Sequence, residues 1–355
     1  MFSKQQSLQI KGGAIMLLLF HHLFYTASRF EPFGVTPWFL SKEKLIIIAT
    51  AARVCVWIFV FASAYGIATL FERKAPEKSI GRFVFERWFS LMGGGYWLIY
   101  PLAFAILTIA GKDVFALYNN NLLCVLVDWS GWSDFFKSPT LMGGWWYMCF
   151  AQILVIIMPV CIWLCKKWNY LMIPLLLLIT QYIDSSGIVS SYGGVYISYL
   201  PAVILGILCA YNSSDLEKLL DKKILVGIIA GILFCILLVG RYYVSLETFS
   251  YNSRHLQWFL AGFAALAFSI CISRLFIGVP AAILAFLGKH SGNMFLIHVL
   301  FIHNVPQMVF KTQTVLFSWC ILFLVSLLSS ILVEKVKKLL SYIVKKLLKL
   351  EKVNK

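Results

Sequence analysis

The run ILVGIIAGILFCILLVG, Ile224 to Gly240, decides the class of fold. It holds no charged side chain, and its length falls in the range of about 17 to 25 residues that a helix needs to cross the hydrocarbon layer of a bilayer. A helix that is apolar all round has no polar face to turn toward water, so lipid or protein must surround it. Similar runs extend outward in both directions, near 12–28, 45–71, 88–110, 145–165, 170–183 and 195–211 before it, and near 255–273, 286–306 and 314–333 after it. Across 355 residues 61% are hydrophobic and 13% charged, a balance that a soluble domain with a polar surface cannot carry. The expected fold is therefore all-α, a polytopic integral membrane protein of about ten transmembrane helices in one domain, 1–334.

An even number of crossings returns both termini to one side. Basic residues fix which side: Lys4, Lys11, Arg73, Lys74, Lys78, Arg82, Arg87, Lys166, Lys167, Lys218, Lys222, Lys223, Arg274, Lys289 and the tail lysines share one face of this ladder. The other face has fewer, among them Arg29, Lys42, Lys44, Lys112, Arg241 and Arg254. The positive-inside rule makes the richer face cytoplasmic and puts the protein in the inner (plasma) membrane. It also accounts for the net charge of +16, so no nucleic-acid partner is expected. No small-residue cleavage site follows the first apolar run, so that run is expected to be kept as a span. From 335 to 355 lysines interleave with Leu, Ile and Val, the pattern of a basic amphipathic tail on anionic membrane lipid. The stretch 118–142, with Trp129, Trp132 and Pro139, has room for a re-entrant segment. Nine scattered cysteines without a CxxC pair read as apolar packing groups, and no metal site is expected.

Ionisable side chains inside a bilayer are costly, about 2.5 to 3.5 kcal/mol for a charge at mid-span, so each demands a reason. Within the apolar runs they are His21, His22, Arg53, Lys289, His290, His298 and His303, with His255 at an edge. Counting from Lys11 at about 1.5 Å per residue puts His22 about 16 Å deep; the same counting puts His298 near 13 Å and Arg53 near 12 Å from their boundaries. All three depths lie near the bilayer midplane. All fifteen Asp and Glu residues fall in loops, tails or run edges, so no acidic relay crosses the membrane. That weighs against a carboxylate-driven proton-coupled transporter and directs any general-base role to histidine. The bland alternatives are packing for His255 and His303, and carbonyl bonding or snorkelling for the others.

The segment KGGAIMLLLFHH, Lys11 to His22, resembles the first span of the membrane-bound acyltransferase 3 family. ARVCVWIFVFASAYG, Ala52 to Gly66, resembles its second span, and LGKHSGNMFLIH, Leu287 to His298, its ninth. GGWWYMCFAQIL, Gly143 to Leu154, is similar to the aromatic fourth span, with Phe150 where some relatives place a Glu and with Gln152 kept. In the third-span region Arg87 fits the first Arg of the family's Arg-x-x-Arg element, Ser90 stands at the second, and Arg82 lies upstream.

The resemblance implies ten helices, acetyl-CoA or another acyl-CoA as cytosolic donor, and a carbohydrate of the exported envelope as acceptor. It implies an O-acyltransferase in which Lys11, Arg82, Arg87 and Lys289 hold the donor phosphates. His22 is expected to act as general base with His21 as a neighbour that orients or packs, and Arg53 or a ninth-span group such as His298 to stabilise the oxyanion. Competing readings are a transporter or glycan flippase with a polar midplane cavity, and a non-catalytic assembly protein. Oligomeric state is not legible.

Overall fold

The structure, a computed structural model, describes residues 1–37, 40–74, 79–186, 194–220, 224–246 and 253–353. Lys78, Lys222 and Lys223 of the orientation argument lie outside these, as do the last two tail residues.

In chain order the principal helices are α1 (Lys4–Phe24), α2 (Lys42–Ala51), α3 (Cys55–Lys74), α4 (Ile80–Leu91), α5 (Trp97–Ile109) and α6 (Leu122–Trp129). They continue as α7 (Trp146–Trp168), α8 (Met172–Ser185), α9 (Leu200–Tyr211), α10 (Ile224–Ser245), α11 (Arg254–Leu275), α12 (Gly278–Asn304) and α13 (Val315–Val353). Among the described residues there is no sheet, only an isolated bridge between Thr36 and Thr314. Each apolar run of the sequence is helical. By length, however, eight stretches among the described residues qualify as spans rather than ten: α7 and α8 follow one another within one stretch, 143–185, and α9, at 12 residues, is too short alone. A chain of apolar helices that satisfies its own backbone hydrogen bonds is what hydrocarbon requires, and the protein is an all-α, multi-pass membrane protein.

Two compact units make up the chain. The first comprises 1–31, 39–87 and 153–289, the second 32–38, 88–152 and 290–355. In the first unit α10 packs along α11, and α3 lies against α1, α9 and α11. Small residues let these backbones close up. A methyl group on Gly12 would sit 2.0 Å from the Leu284 carbonyl oxygen, and one on Gly288 would sit 1.8 Å from that of Leu8, so α1 and α12 touch backbone to backbone. This is the small-residue packing by which apolar helices associate without a hydrophobic driving force. The start of α1 is fixed by a capping box, in which Ser3 and Gln6 each bond the other's backbone N–H.

In the second unit a π-helical turn, Met92–Tyr96, carries the three glycines of LMGGGYW and joins α4 to α5. The stretch considered for a re-entrant segment holds short helices around a fully buried carboxylate, Asp128. Tyr118 donates to its Oδ2 at 2.6 Å and the Leu141 backbone N–H does so at 2.7 Å. Burial, and then the carboxylate beside it, push the Tyr118 hydroxyl well above the ordinary tyrosine range. Asp184, at the end of α8, is also buried. Position in sequence did not predict that these two acids are shielded from water. All nine cysteines are free thiols. The lysine-rich tail continues α13 without a break to Val353.

Candidate active site

The expected site residues divide between the units. Lys11, His21, His22, Arg53, Arg82, Arg87 and Lys289 belong to the first, and His298 to the second.

His21 and His22 occupy the last turn of α1. Lys11, from which the sequence estimate counted, lies seven residues inside this helix. The His21 ring is buried and its Nδ1 lies 2.8 Å from the Ala49 carbonyl oxygen. A carbonyl only accepts, so Nδ1 carries the hydrogen and the neutral ring keeps its lone pair on Nε2. The ring stacks on Tyr25 at 4.9 Å and meets His22 edge to face at 5.1 Å. His22 is the more accessible of the two.

Arg29 closes the end of α1: its Nη1 donates to the His22 carbonyl oxygen at 3.0 Å, and its guanidinium lies 4.8 Å over the Tyr25 ring. A cation bonded to the last carbonyls is where the helix dipole favours it. Arg53 sits in a 3-10 turn, Ala52–Val54, that interrupts the helical stretch between α2 and α3, and α1 packs against this turn. The interruption exposes Arg53 within an otherwise tightly packed stretch. One helical turn later, on the same face, Trp57 is buried against Tyr199 at 4.6 Å and donates its indole N–H to the Ser198 carbonyl at 3.0 Å. Arg241, at the end of α10, lies 4.7 Å over the Trp57 ring. Arg29, Arg53 and Arg241 are the charged groups within electrostatic reach of His21. The expected His21, His22 and Arg53 are therefore one constellation. Arg29 and Arg241 read in sequence as loop charges, and the only signal for Arg241 was its position directly after the apolar run ending at Gly240.

In the first half of α1, Lys11 adjoins Gly12, and Lys289 adjoins Gly288, so both flank the close crossing of α1 and α12. Lys289 is exposed. Arg82 is engaged by Glu86, one turn along α4, at 3.2 Å. Arg87 is half-buried on the same helix. Sequence reasoning missed Arg274, treated only as a topology charge: it is 6% exposed, and its Nε and Nη2 have no hydrogen-bond partner among the described residues. Its neighbour Ser273 accepts from Gln6 of α1 at 3.2 Å, which ties the ends of α11 and α1 together.

In the second unit the fully buried His298 ring has Nδ1 3.2 Å from the Met294 carbonyl of its own helix. Gln152 is a structural bridge: it accepts from the Trp88 indole at 2.6 Å and donates to the Ser130 and Gly131 carbonyls. The ninth-span motif finds partners, with His290 on Ser330 at 2.9 Å and Asn293 donating to Glu334 at 2.9 Å. Lys337 bonds Glu334 and the Gly94 carbonyl, each at 2.6 Å. A cavity of about 460 Å³ is lined by His303, Asn304, Lys112 and Asp113 among others, and by none of the expected site residues. His255 has a packing role: it and Arg254 hold Asp184, with Arg254 Nε at 2.9 Å. Among the described residues no group of three or more His, Cys, Asp or Glu side chains is placed to hold a metal ion.

A family model described as an acyltransferase domain matches residues 9–335. No curated protein and no solved structure matches the chain.

Proposed function

From the premise that the chain belongs to the acyltransferase 3 family, and is thus a multi-pass membrane acyltransferase, we propose that it moves an acyl group, most simply acetyl, from acyl-CoA to a hydroxyl of an envelope carbohydrate. The observation that carries this reading is the histidine pair at the end of α1, one ring locked by the Ala49 carbonyl and the other accessible beside it.

The chemistry follows from the residues. His22 accepts the proton of the acceptor hydroxyl as the oxygen attacks the thioester carbonyl, and it returns that proton to the departing thiolate. His21 sets the position of His22 through its edge contact and its fixed tautomer. Arg53, exposed at its 3-10 turn, faces the negative charge that develops on the carbonyl oxygen. The donor's phosphates bind toward the start of α1, where Lys11 and Lys289 flank the helix crossing, with Arg82, Arg87 and the buried Arg274 supplying further charge. Lys11 and His22 are separated by about 16 Å along the axis, a span that the extended pantetheine arm bridges. Helix packing around α1 keeps bulk water from the acyl group during transfer.

Purified protein incubated with radiolabelled acetyl-CoA and envelope glycans tests the proposal. Label appearing in glycan with the native chain and not with His22→Ala supports it. Glycan moved across a proteoliposome membrane without label would instead make the protein a transporter.

A further inference from the structure

One end of the first unit gathers three guanidinium groups. Arg29 comes from the segment after α1, Arg53 from the 3-10 turn before α3, and Arg241 from the last turns of α10. Among the described residues no Asp or Glu forms an ion pair with any of them. The buried carboxylate of the α8 terminus is taken by Arg254 and His255. Arg53 and Arg241 act on one another, and all three act on His21. Like charges gathered in a chain packed for lipid repel, and the arrangement is balanced only when an anion sits among them.

The cluster is also held ready. Arg241 is fixed against the Trp57 face, 4.7 Å away, and Trp57 is itself locked by Tyr199 and the Ser198 carbonyl. Arg29 is fixed by Tyr25 and by the His22 carbonyl. Guanidinium planes immobilised in this way lose little entropy when they grip a planar carboxylate or a phosphate, and Arg53 of the same cluster is exposed. The basic ends Lys4 of α1 and Arg73 and Lys74 of α3 lie at the opposite termini of these helices. By the positive-inside rule the arginine cluster therefore opens away from the cytosol, on the side of an exported substrate.

We propose that this cluster forms the acceptor subsite and that the acceptor is an anionic carbohydrate, whose carboxylate or phosphate Arg29 and Arg241 hold, leaving Arg53 for the developing oxyanion, while a neighbouring hydroxyl meets the histidine pair. This rests on the acyltransferase reading. Binding is measured without any acyl-CoA, by calorimetry on the purified full chain in neutral detergent. The probes are a glucuronate-containing disaccharide, its neutral glucose counterpart, a short glycerol-phosphate oligomer and phosphatidylglycerol micelles. The expected result is that one of the two anionic polyols binds about 10- to 100-fold tighter than the neutral disaccharide, and that Arg241→Gln removes this ratio while Arg241→Lys retains part of it. Equal binding of charged and neutral saccharides, binding of phosphatidylglycerol alone, or an unchanged ratio in a monodisperse Arg241→Gln protein would each overturn the assignment. Its failure is separable from that of the transferase reading. Label transferred equally to charged and neutral acceptors sinks the subsite alone, whereas anion-selective binding with no transfer to any glycan sinks the transferase alone.

Discussion

Replacing Gly288 by alanine tests whether the packing of α12 on α1 sets the position of the histidine pair. The added methyl carbon would lie 1.8 Å from the Leu8 carbonyl oxygen, and ordinary contact begins at 3.4 Å, so the helices must part by 1.6 Å at that point. The obstacle is backbone, not a side chain that can swing away. Overpacking of this kind costs about 1–3 kcal/mol, against a gain of up to about 1 kcal/mol from the better helix former. Because α1 carries His21 and His22 in its last turn, a shift of this size also displaces the proposed base. Misplacement by about 1 Å can lower a rate roughly 100-fold. Gly292, one turn further along α12, is the internal control: nothing lies within 4 Å of its added methyl, so Gly292→Ala is expected to be neutral or mildly stabilising. The assay pairs thermal unfolding in detergent, followed by size-exclusion fluorescence, with acetyl transfer from labelled acetyl-CoA. Gly12→Ala meets the Leu284 carbonyl at 2.0 Å and calls for the same pair of helices to part by 1.4 Å, so the double variant should lose less than the two singles together. A Gly288→Ala protein as stable and as active as Gly292→Ala would refute the close crossing.

Further outcomes follow from other contacts. His22→Ala should lower the transfer rate by roughly 100- to 10,000-fold with the protein still monodisperse, and His21→Ala should lower it less; the reverse order would make His21, with its lone pair held on Nε2, the base. Arg274→Gln should raise the Michaelis constant for acyl-CoA by about 10- to 100-fold with turnover retained, and it should raise rather than lower the melting temperature of the donor-free protein, because it removes a buried, unmatched cation. A Michaelis constant unmoved by that change would remove Arg274 from the donor site. Tyr118→Phe takes a donor from the buried Asp128 and should destabilise by about 1–3 kcal/mol at neutral pH. The Tyr118 hydroxyl is raised in the folded state, so its contribution is intact below the unfolded value near pH 10 and is lost as pH rises beyond it. Melting temperatures across that alkaline range should fall more steeply for the native chain than for the variant, and parallel curves would contradict the shift.

Much of this was legible in the sequence because lipid imposes a simple rule, that a spanning segment must be apolar and must bond its own backbone. Each apolar run is a helix for that reason, and the count differs where length alone does not mark an end, as between α7 and α8, and where the helix is short, as at α9. His21, His22 and Arg53 could be found because an ionisable group in an apolar run stands out. Arg29, Arg241 and Arg274 could not: each lies at a run's edge, where a basic residue ordinarily sits in headgroups or water, and only packing shows that Arg274 is buried and that Arg241 lies on Trp57. The burial of Asp128 was hidden similarly, since its donors Tyr118 and the Leu141 backbone come from separate loops. That Lys11 lies seven residues inside its helix was not legible either, because the helix start is set by the Ser3 capping box.

The last helix has 39 residues, about 58 Å end to end, which is nearly twice the thickness of the hydrocarbon it has to cross. A straight rod of that length cannot both span the layer and rest along its surface, so the lysine-bearing half projects from the membrane unless the rod bends. Lys337, clamped to Glu334 and to the Gly94 carbonyl, marks where such a bend would be felt.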